Sequence, residues 1–223
     1  MLIQYNQFVS LKKELVEDLR FYIIETRTEK PFQSYEFEGS SGPIIGVHGV
    51  TGGWSKNGLK KFMTENNVSG SLMYLGNLLG KIDSYLPAVD AEVKKHTYPT
   101  LVGLSVGGLI LLRYASAYKA WDKINKIITI GTPFMGYTKF LKTIFSKLED
   151  LTGSSDILTE IRKLQPPKDK VISIFAKEDK MIPKPNKIQL NWPSIITDAQ
   201  GHGDILNHQT WWKDTLLQSI NIK

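Results

Sequence analysis

One stretch of the sequence, PTLVGLSVGGLILLRYA, sets a serine among glycines and between two apolar runs. The run that ends at Leu104 has the length of a buried strand, and the run after Ser105 is long enough for a buried helix. Glycine weakens strands and helices alike, so Gly103, Gly107 and Gly108 need a steric reason. The stretch therefore predicts a strand that turns sharply into a helix at Ser105.

Two interpretations of this turn stand side by side. In the first, the turn is an ordinary feature of an α/β domain, and the Ser105 hydroxyl caps the helix. In the second, it is a nucleophile elbow, G-x-S-x-G, which holds the serine on a strained corner with its hydroxyl exposed. Capping accounts for Ser105 but leaves Gly103 unexplained. A serine hydroxyl is a poor nucleophile at neutral pH, so the second interpretation requires a base and a carboxylate elsewhere in the chain.

The rest of the sequence alternates apolar runs with helical patterns, which favours a mostly parallel sheet covered by helices. We expect strands at RFYIIET, QSYEFEG, GPIIGVHG, TLVGL, KIITIGTP, KVISIFAKED and SIITDAQ. Helices are expected at residues 8–19, in LKKFMTEN, through residues 71–96 with an interruption near Pro87, after Ser105, within 137–164 and in TWWKDTLLQSI. Because no repeat, linker or break in composition occurs, residues 1–223 are expected to form a single domain with a three-layer αβα architecture.

The composition, with 41% hydrophobic and 22% charged residues, is that of a folded globular protein. The absence of cysteine excludes disulfides, thiolate chemistry and cysteine-based metal sites. The net charge of +6 comes from scattered lysines rather than a basic block, so we expect a solubilising surface and no nucleic-acid partner. No signal peptide or transmembrane segment is recognisable, which makes a cytoplasmic location the default and leaves a trimmed secreted protein open. The amphipathic helix at 8–19 is expected to pack on its own domain, with peripheral membrane contact as the alternative.

Ligand sites in parallel sheets lie beyond the carboxyl ends of the strands, and the candidate base is one of four histidines. His202, in a glycine-flanked loop after the last strand, is the first choice, and His208, six residues later, is the second. His48 ends a strand before a glycine, where we expect it to order the loop rather than take a proton. His96 ends a charged segment and is expected to be solvated.

A carboxylate should orient the imidazole and stabilise the imidazolium. Asp179 and Glu178 both follow a buried strand, and Asp179 is preferred because it precedes the apolar run KMIP. An acidic residue at a strand end is also a common turn former. The order Ser105, Asp179, His202 is, however, the order in which nucleophile, acid and base follow one another in one well-known hydrolase architecture.

Acyl transfer also needs hydrogen-bond donors directed at the oxyanion that develops in the reaction. One is the N–H of the residue after the nucleophile, Val106, and the other comes from the loop after the strand that carries His48 and Gly49. Val50 is the candidate there, with Thr51 as its neighbour if the register differs by one. The alternatives for HGVTGG are a flexible loop or a phosphate-binding loop, but no G-K-[ST] or G-x-G-x-x-G pattern is present.

Taken together, PIIGVHGVTGG, TLVGLSVGGLILLRYA, IITIGTPFMG, IFAKEDKMIP and GHGDIL make the chain resemble the α/β-hydrolase superfamily, in particular its lipase and esterase branch. The resemblance implies a triad of Ser105, Asp179 and His202, an oxyanion hole at Val50 and Val106, and hydrolysis of a small-molecule or lipid ester with no metal or organic cofactor. A thioesterase, amidase or acyltransferase with the same triad is the alternative, as is a non-catalytic binding module on an inherited fold.

The chain also departs from the pattern of many lipases. Leu104 precedes the serine where they have histidine, and the residue after GTP is Phe134. The segment 137–165 is too short for a large cap and is expected to form at most a small helical lid, although its apolar stripe is more typical of core. Trp54, Phe134 and Met135 are the candidate lining residues of an apolar acyl pocket.

Overall fold

In a computed structural model, the protein is described at residues 32–50, 58–76, 78, 80–136, 149–151, 155–182 and 190–220. Seven strands are present in these ranges: β1 (Gln33–Phe37), β2 (Ser41–Val47), β3 (Val68–Tyr74), β4 (Thr100–Leu104), β5 (Lys126–Ile130), β6 (Val171–Ala176) and β7 (Ser194–Thr197). The α-helices of the same ranges are α1 (Gly58–Glu65), α2 (Leu86–Val93), α3 (Val106–Ala117), α4 (Asp156–Arg162), α5 (His202–Asn207) and α6 (Lys213–Ile220). Short 3₁₀ turns lie at Ile82–Tyr85, Glu149–Leu151 and Gln209–Trp211.

The strands form one sheet in the order β1-β3-β2-β4-β5-β6-β7. All neighbours are parallel except β1, which runs antiparallel to β3. Strand β4 is buried along its whole length, as its apolar sequence predicts for a parallel strand covered on both faces. The parallel strands therefore end at a common edge, where the loops after β2, β4, β5 and β6 come together.

Helices cover both faces of this sheet. Because side chains alternate along a strand, Leu101 of β4 packs in one core layer and Val102 in the other. The layer on the side of Leu101 includes apolar residues of α2, α3 and α4, and the layer on the side of Val102 includes Phe62 of α1 and Trp212 and Leu216 around α6. The predicted three-layer αβα sandwich with a mostly parallel sheet is confirmed.

One predicted helix is wrong in its first part. Residues 68–74 form strand β3, between β1 and β2, and helix α2 spans only Leu86–Val93. Leu72 and Met73 are adjacent in sequence yet both buried, so the run lacks the alternation that marks a half-exposed strand. An apolar run of this kind is compatible with either a buried strand or a buried helix.

Several predicted elements lie outside the described residues, namely the helix at 8–19, the strand RFYIIET and positions 137–148 of the expected lid. Of the rest of segment 137–165, α4 packs against α3, with Leu158 and Ile161 buried in the core. In α4, the apolar stripe therefore belongs to the hydrophobic core. Within the described ranges, no helix combines the length and the apolar character that a membrane span requires.

Candidate active site

Ser105 sits in a backbone conformation that ordinary side chains rarely adopt, with φ 51° and ψ −121°. The glycines around it answer the steric question that the sequence raises. A Cβ on Gly103 would lie 2.4 Å from the backbone N and Cα of Gly108, and a Cβ on Gly107 would lie 2.2 Å from the carbonyl oxygen of Val47. Strand β4, helix α3 and strand β2 therefore approach at distances that only glycine permits, and Ser105 is held on a strained strand-to-helix corner.

Hydrogen bonds fix this corner on the neighbouring strand β5. The Ser105 N–H donates to the carbonyl oxygen of Ile130 at 2.8 Å, and the hydroxyl of Thr132 donates to the Ser105 carbonyl oxygen at 2.9 Å. The sequence places Thr132 at a strand end but gives no signal of this contact. The backbone at Ser105 is thus bonded on both sides, as expected where surrounding structure must sustain strain.

The structure brings Ser105, His202 and Asp179 together. The Ser105 Oγ lies 3.1 Å from Nε2 of His202, and Nδ1 of the same ring lies 2.7 Å from Oδ2 of Asp179. All three residues are buried, at 3%, 3% and 7% exposure respectively. Such a chain of contacts, shielded from bulk water, has the spacing of a nucleophile, a base and an orienting carboxylate.

Asp179 is held by the loop that follows β6. Its Oδ1 accepts hydrogen bonds from the N–H groups of Met181 and Ile182, at 2.9 and 3.0 Å. One carboxylate oxygen is therefore committed to the backbone, and the other faces His202. The apolar run KMIP, which favoured Asp179 in the sequence, supplies these donors.

His202 begins the short helix α5, whereas the sequence predicts an open loop there. Gly201 precedes it with φ 158°, and Asp204 accepts a hydrogen bond from the N–H of Gln200 at 2.7 Å. The ring rests against Gly131, where an added Cβ would lie 3.3 Å from Cε1 of His202. A six-residue helix with polar ends carries too little periodicity to be recognised in the sequence.

The other candidates for base and acid lie elsewhere. His208 has a side chain 67% exposed and pairs with Asp204, while Glu178 is exposed. His48 is buried, its Nε2 accepts a hydrogen bond from the Leu75 N–H at 2.9 Å, and burial lowers its pKa to about 4. It thus orders the strand-end loop as a neutral ring, in keeping with the expectation for it.

The predicted oxyanion donors, Val106 and Val50, follow Ser105 and Gly49 respectively in the chain. Val106 is the first residue of α3, so its N–H has no acceptor one turn earlier in the helix. Val50 is buried in the loop after β2. A Cβ on the preceding Gly49 would lie 3.0 Å from Cβ and 3.6 Å from Oγ of Ser105, so this loop passes directly beside the serine.

The candidate lining residues differ in their surroundings. Phe134 has no exposed surface and packs edge-on against Phe175 and Trp192 in the core. Met135, its neighbour, is 44% exposed. Trp54 lies outside the described residues.

The same architecture recurs in solved lipases. The mature lipase BlEst2 of Bacillus licheniformis matches with a TM-score of 0.66 and 14% identity, over 86% of this chain and 100% of that one. A monoacylglycerol lipase of Paleococcus ferrophilus matches with a TM-score of 0.57 and 15% identity, over 84% and 95% of the two chains. The chain has the α/β-hydrolase fold.

The α/β-hydrolase fold is also shared with an N-formylmaleamic acid deformylase of Pseudomonas putida, at a TM-score of 0.62 and 12% identity over 82% of this chain and 94% of that one. No protein-family model matches the sequence, and a search of curated proteins finds no match. Matches at identities this low show only that the fold is shared, so any proposal about the chemistry rests on the residues of the site.

Proposed function

We propose that the protein is a serine hydrolase that cleaves carboxylic esters through an acyl-enzyme intermediate. The observation that carries this proposal is the chain of two short contacts from Ser105 through His202 to Asp179, with the serine on a strained strand-to-helix corner. A capping serine would need no such partners, because its hydroxyl would bond to the helix N–H groups instead. No side-chain capping bond is made by Ser105.

In the proposed reaction, Ser105 Oγ attacks the acyl carbon while His202 Nε2 takes the hydroxyl proton. The backbone N–H groups of Val50 and Val106 stabilise the oxyanion of the tetrahedral intermediate; each such donor is typically worth about 3 kcal/mol in the transition state. The intermediate collapses when the bond from the acyl carbon to the leaving oxygen breaks, and His202 donates its proton to that oxygen. Water then attacks the acyl-enzyme by the same route, releasing the acid and restoring the Ser105 hydroxyl.

Asp179 does not transfer a proton in this scheme. Its Oδ2 accepts a hydrogen bond from Nδ1–H of His202, which leaves Nε2 as the acceptor that faces Ser105. The negative charge also stabilises the imidazolium that forms at each proton transfer. Asp179 is therefore the orienting acid of the proposed triad.

Ester substrates are favoured because lipases recur among the solved structures that share this fold. The second candidate is hydrolysis of an amide, which is supported by the deformylase that also shares it. The same machinery serves thioesters and acyl transfer. Because the reactions differ in the group that leaves or accepts the acyl chain, assays with esters and anilides are needed to distinguish them.

The first experiment treats the wild type and Ser105→Ala with a fluorophosphonate probe and follows turnover of p-nitrophenyl esters of increasing chain length. Labelling and turnover are expected in the wild type and not in Ser105→Ala. Ser84→Ala is the matched control, because Ser84 is exposed and bonds only locally to the Lys81 carbonyl oxygen. A folded wild type that neither reacts with the probe nor turns over esters would contradict the proposal and favour a binding module.

A second pair of variants tests the base. His202→Ala is expected to lose turnover by about three orders of magnitude or more, since the base and the acid of both steps are lost together. His208→Ala is expected to keep activity within a few-fold, because its imidazole is exposed and pairs with Asp204. The reverse outcome would show that the base is misassigned. Parallel assays with p-nitroanilides would favour the amidase alternative if they exceeded ester turnover.

A further inference from the structure

Polar side chains from three elements converge at the β1 edge of the sheet, three strand positions from β4 and its Ser105. Glu36 lies on β1, Glu92 on the last turn of α2 and His96 just beyond that helix. One ligand atom of each lies within 4.8 Å of the other two. Ser71 of β3 is the register partner of Glu36, so its side chain is on the same face of the sheet.

Glu92 is the centre of this cluster and is only 3% exposed. Its Oε2 accepts hydrogen bonds from the Ser34 hydroxyl and from Nζ of Lys95, both at 2.8 Å. Burial raises the pKa of Glu92, but the hydrogen bond and positive charge of Lys95, together with the hydroxyl groups of Ser71 and Ser34 near the carboxyl, outweigh burial and lower the pKa. The buried carboxyl is therefore ionised at neutral pH.

The second oxygen of Glu92 is not satisfied in this way. Its Oε1 is buried and has no hydrogen-bond partner, and the same holds for Nε2 of His96. The fully buried Ser71 hydroxyl lies close enough to lower the pKa of Glu92, yet has no hydrogen-bond partner of its own. Three of the five buried side-chain polar atoms without a hydrogen-bond partner in the described ranges thus belong to this one cluster. Such a concentration indicates a ligand, since buried polar atoms in native proteins are nearly always paired.

The spacing of Glu92 and His96 fits a metal ion better than a direct contact. Glu92 Oε1 and His96 Nε2 are 3.5 Å apart, which is long for a hydrogen bond. Two ligands of a tetrahedral Zn²⁺, each about 2.0–2.2 Å from the ion, are separated by roughly 3.4 Å. One imidazole nitrogen with carboxylate oxygens also suits Zn²⁺, whereas Ca²⁺ and Mg²⁺ prefer oxygen ligands alone.

We propose that Glu36, Glu92 and His96 bind a divalent transition-metal ion, best Zn²⁺, with water as the fourth ligand. Lys95 is the local competitor, because its Nζ lies 2.8 Å from Glu92 and 3.9 Å from Glu36. Its side chain is 55% exposed and can turn into solvent when the ion binds. The metal joins the edge strand β1 to the end of α2, so its role is structural and separate from the site at Ser105.

The test uses the metal-stripped full chain, titrated with ZnCl₂ by calorimetry, with thermal unfolding followed in parallel. We expect one Zn²⁺ per chain and a melting temperature that rises with Zn²⁺ concentration, because an ion that binds only the folded state stabilises it. Co²⁺ is expected to give the visible absorption of a tetrahedral site. His96→Gln should weaken Zn²⁺ binding at least ~10-fold, since even residues behind the ligands commonly contribute that much.

Further variants distinguish a metal site from a polar cluster that holds only water. Lys95→Met should strengthen Zn²⁺ binding, because it removes the competing ammonium group. His208→Gln is the matched control, an exposed imidazole beside a carboxylate, and should leave binding unchanged. Glu36→Gln, at an exposed position, tests the cluster without disturbing the buried Glu92. No Zn²⁺ binding by the wild type, or equal binding by His96→Gln and Glu36→Gln, would overturn the proposal and leave a water-filled polar cluster.

Discussion

Replacing Asp179 by asparagine gives the sharpest test of the proposed triad, because the structure dictates how the amide must lie. Oδ1 accepts hydrogen bonds from the N–H groups of Met181 and Ile182. If the amide NH₂ took that place, two backbone donors would lose their acceptor, at about 1–3 kcal/mol each. The asparagine oxygen must therefore take the Oδ1 position, and its NH₂ must face His202.

This orientation reverses the hydrogen bond to the imidazole. With an NH₂ group 2.7 Å away, Nδ1 of His202 becomes the acceptor, and the ring proton moves to Nε2. Nε2 then donates to Ser105 Oγ and cannot take its proton. Restoring the reactive tautomer places two donors against each other, at about 1–3 kcal/mol. The imidazolium also loses its carboxylate, and a hydrogen bond between charged groups is worth about 1.5–3 kcal/mol.

The two losses together are about 2.5–6 kcal/mol, which corresponds to a fall in kcat of roughly 10²–10⁴. The upper end matches the effect seen when the acid of a serine triad becomes an amide. The assay is p-nitrophenyl ester turnover together with the rate of fluorophosphonate labelling, and both should fall. Glu178→Gln is the control, because that side chain is exposed one position away. Activity of Asp179→Asn within tenfold of the wild type, in a normally folded protein, would refute this reasoning.

Two further predictions concern the supports of the site. Thr132→Val preserves the shape of the side chain but removes the hydroxyl that donates to the Ser105 carbonyl oxygen. Because that oxygen also accepts a hydrogen bond from the Gly108 N–H at 3.1 Å, we expect the free energy of unfolding in urea to fall by only about 1 kcal/mol. Probe labelling of Ser105 is expected to be slower. Unchanged labelling would show that the bond does not position the serine. Burial lowers the pKa of His48 from about 6.5 to about 4, so the unfolded chain binds the proton more readily and stability falls as the pH drops through this window. Between pH 7 and pH 5 the loss attributable to His48 is about 2 kcal/mol, and His48→Gln should lose correspondingly less in urea unfolding at the two pH values. An equal loss in both proteins would assign the acid sensitivity to other groups.

The elbow was accessible to sequence reasoning because its constraint is steric and local. Only glycine fits where the backbones of Gly103 and Gly108 nearly touch, so the glycines themselves indicate the close approach in the sequence. The three-layer architecture is predictable because the hydrophobic pattern of most strands and helices lies within the element itself, and their alternation along the chain indicates a parallel sheet covered by helices.

Features that depend on tertiary partners were not accessible in this way. The sequence predicts a helix at residues 71–74 of strand β3, because the sheet buries both faces of the strand and so removes alternation from its sequence. Phe134 follows a conspicuous GTP segment, yet the rings of Phe175 and Trp192 enclose it in the core. The sequence predicts a solvated His96, but its side chain is only 15% exposed, because β1 and Glu92 lie against it. In each case the neighbours come from distant parts of the chain.

Asp179–His202 and Asp204–His208 are two Asp–His pairs of the same composition that differ in burial. Asp179 and His202 have side chains 1% and 4% exposed, whereas Asp204 and His208 are 23% and 67% exposed. An exposed pair exchanges its partners with water and contributes only about 0–1 kcal/mol. The buried pair cannot do so, and its remaining atoms face two backbone donors on one side and the Ser105 hydroxyl on the other. In the proposed mechanism, reactivity at Ser105 therefore depends on burial that fixes one tautomer and one geometry of His202, which residue type and order alone do not specify.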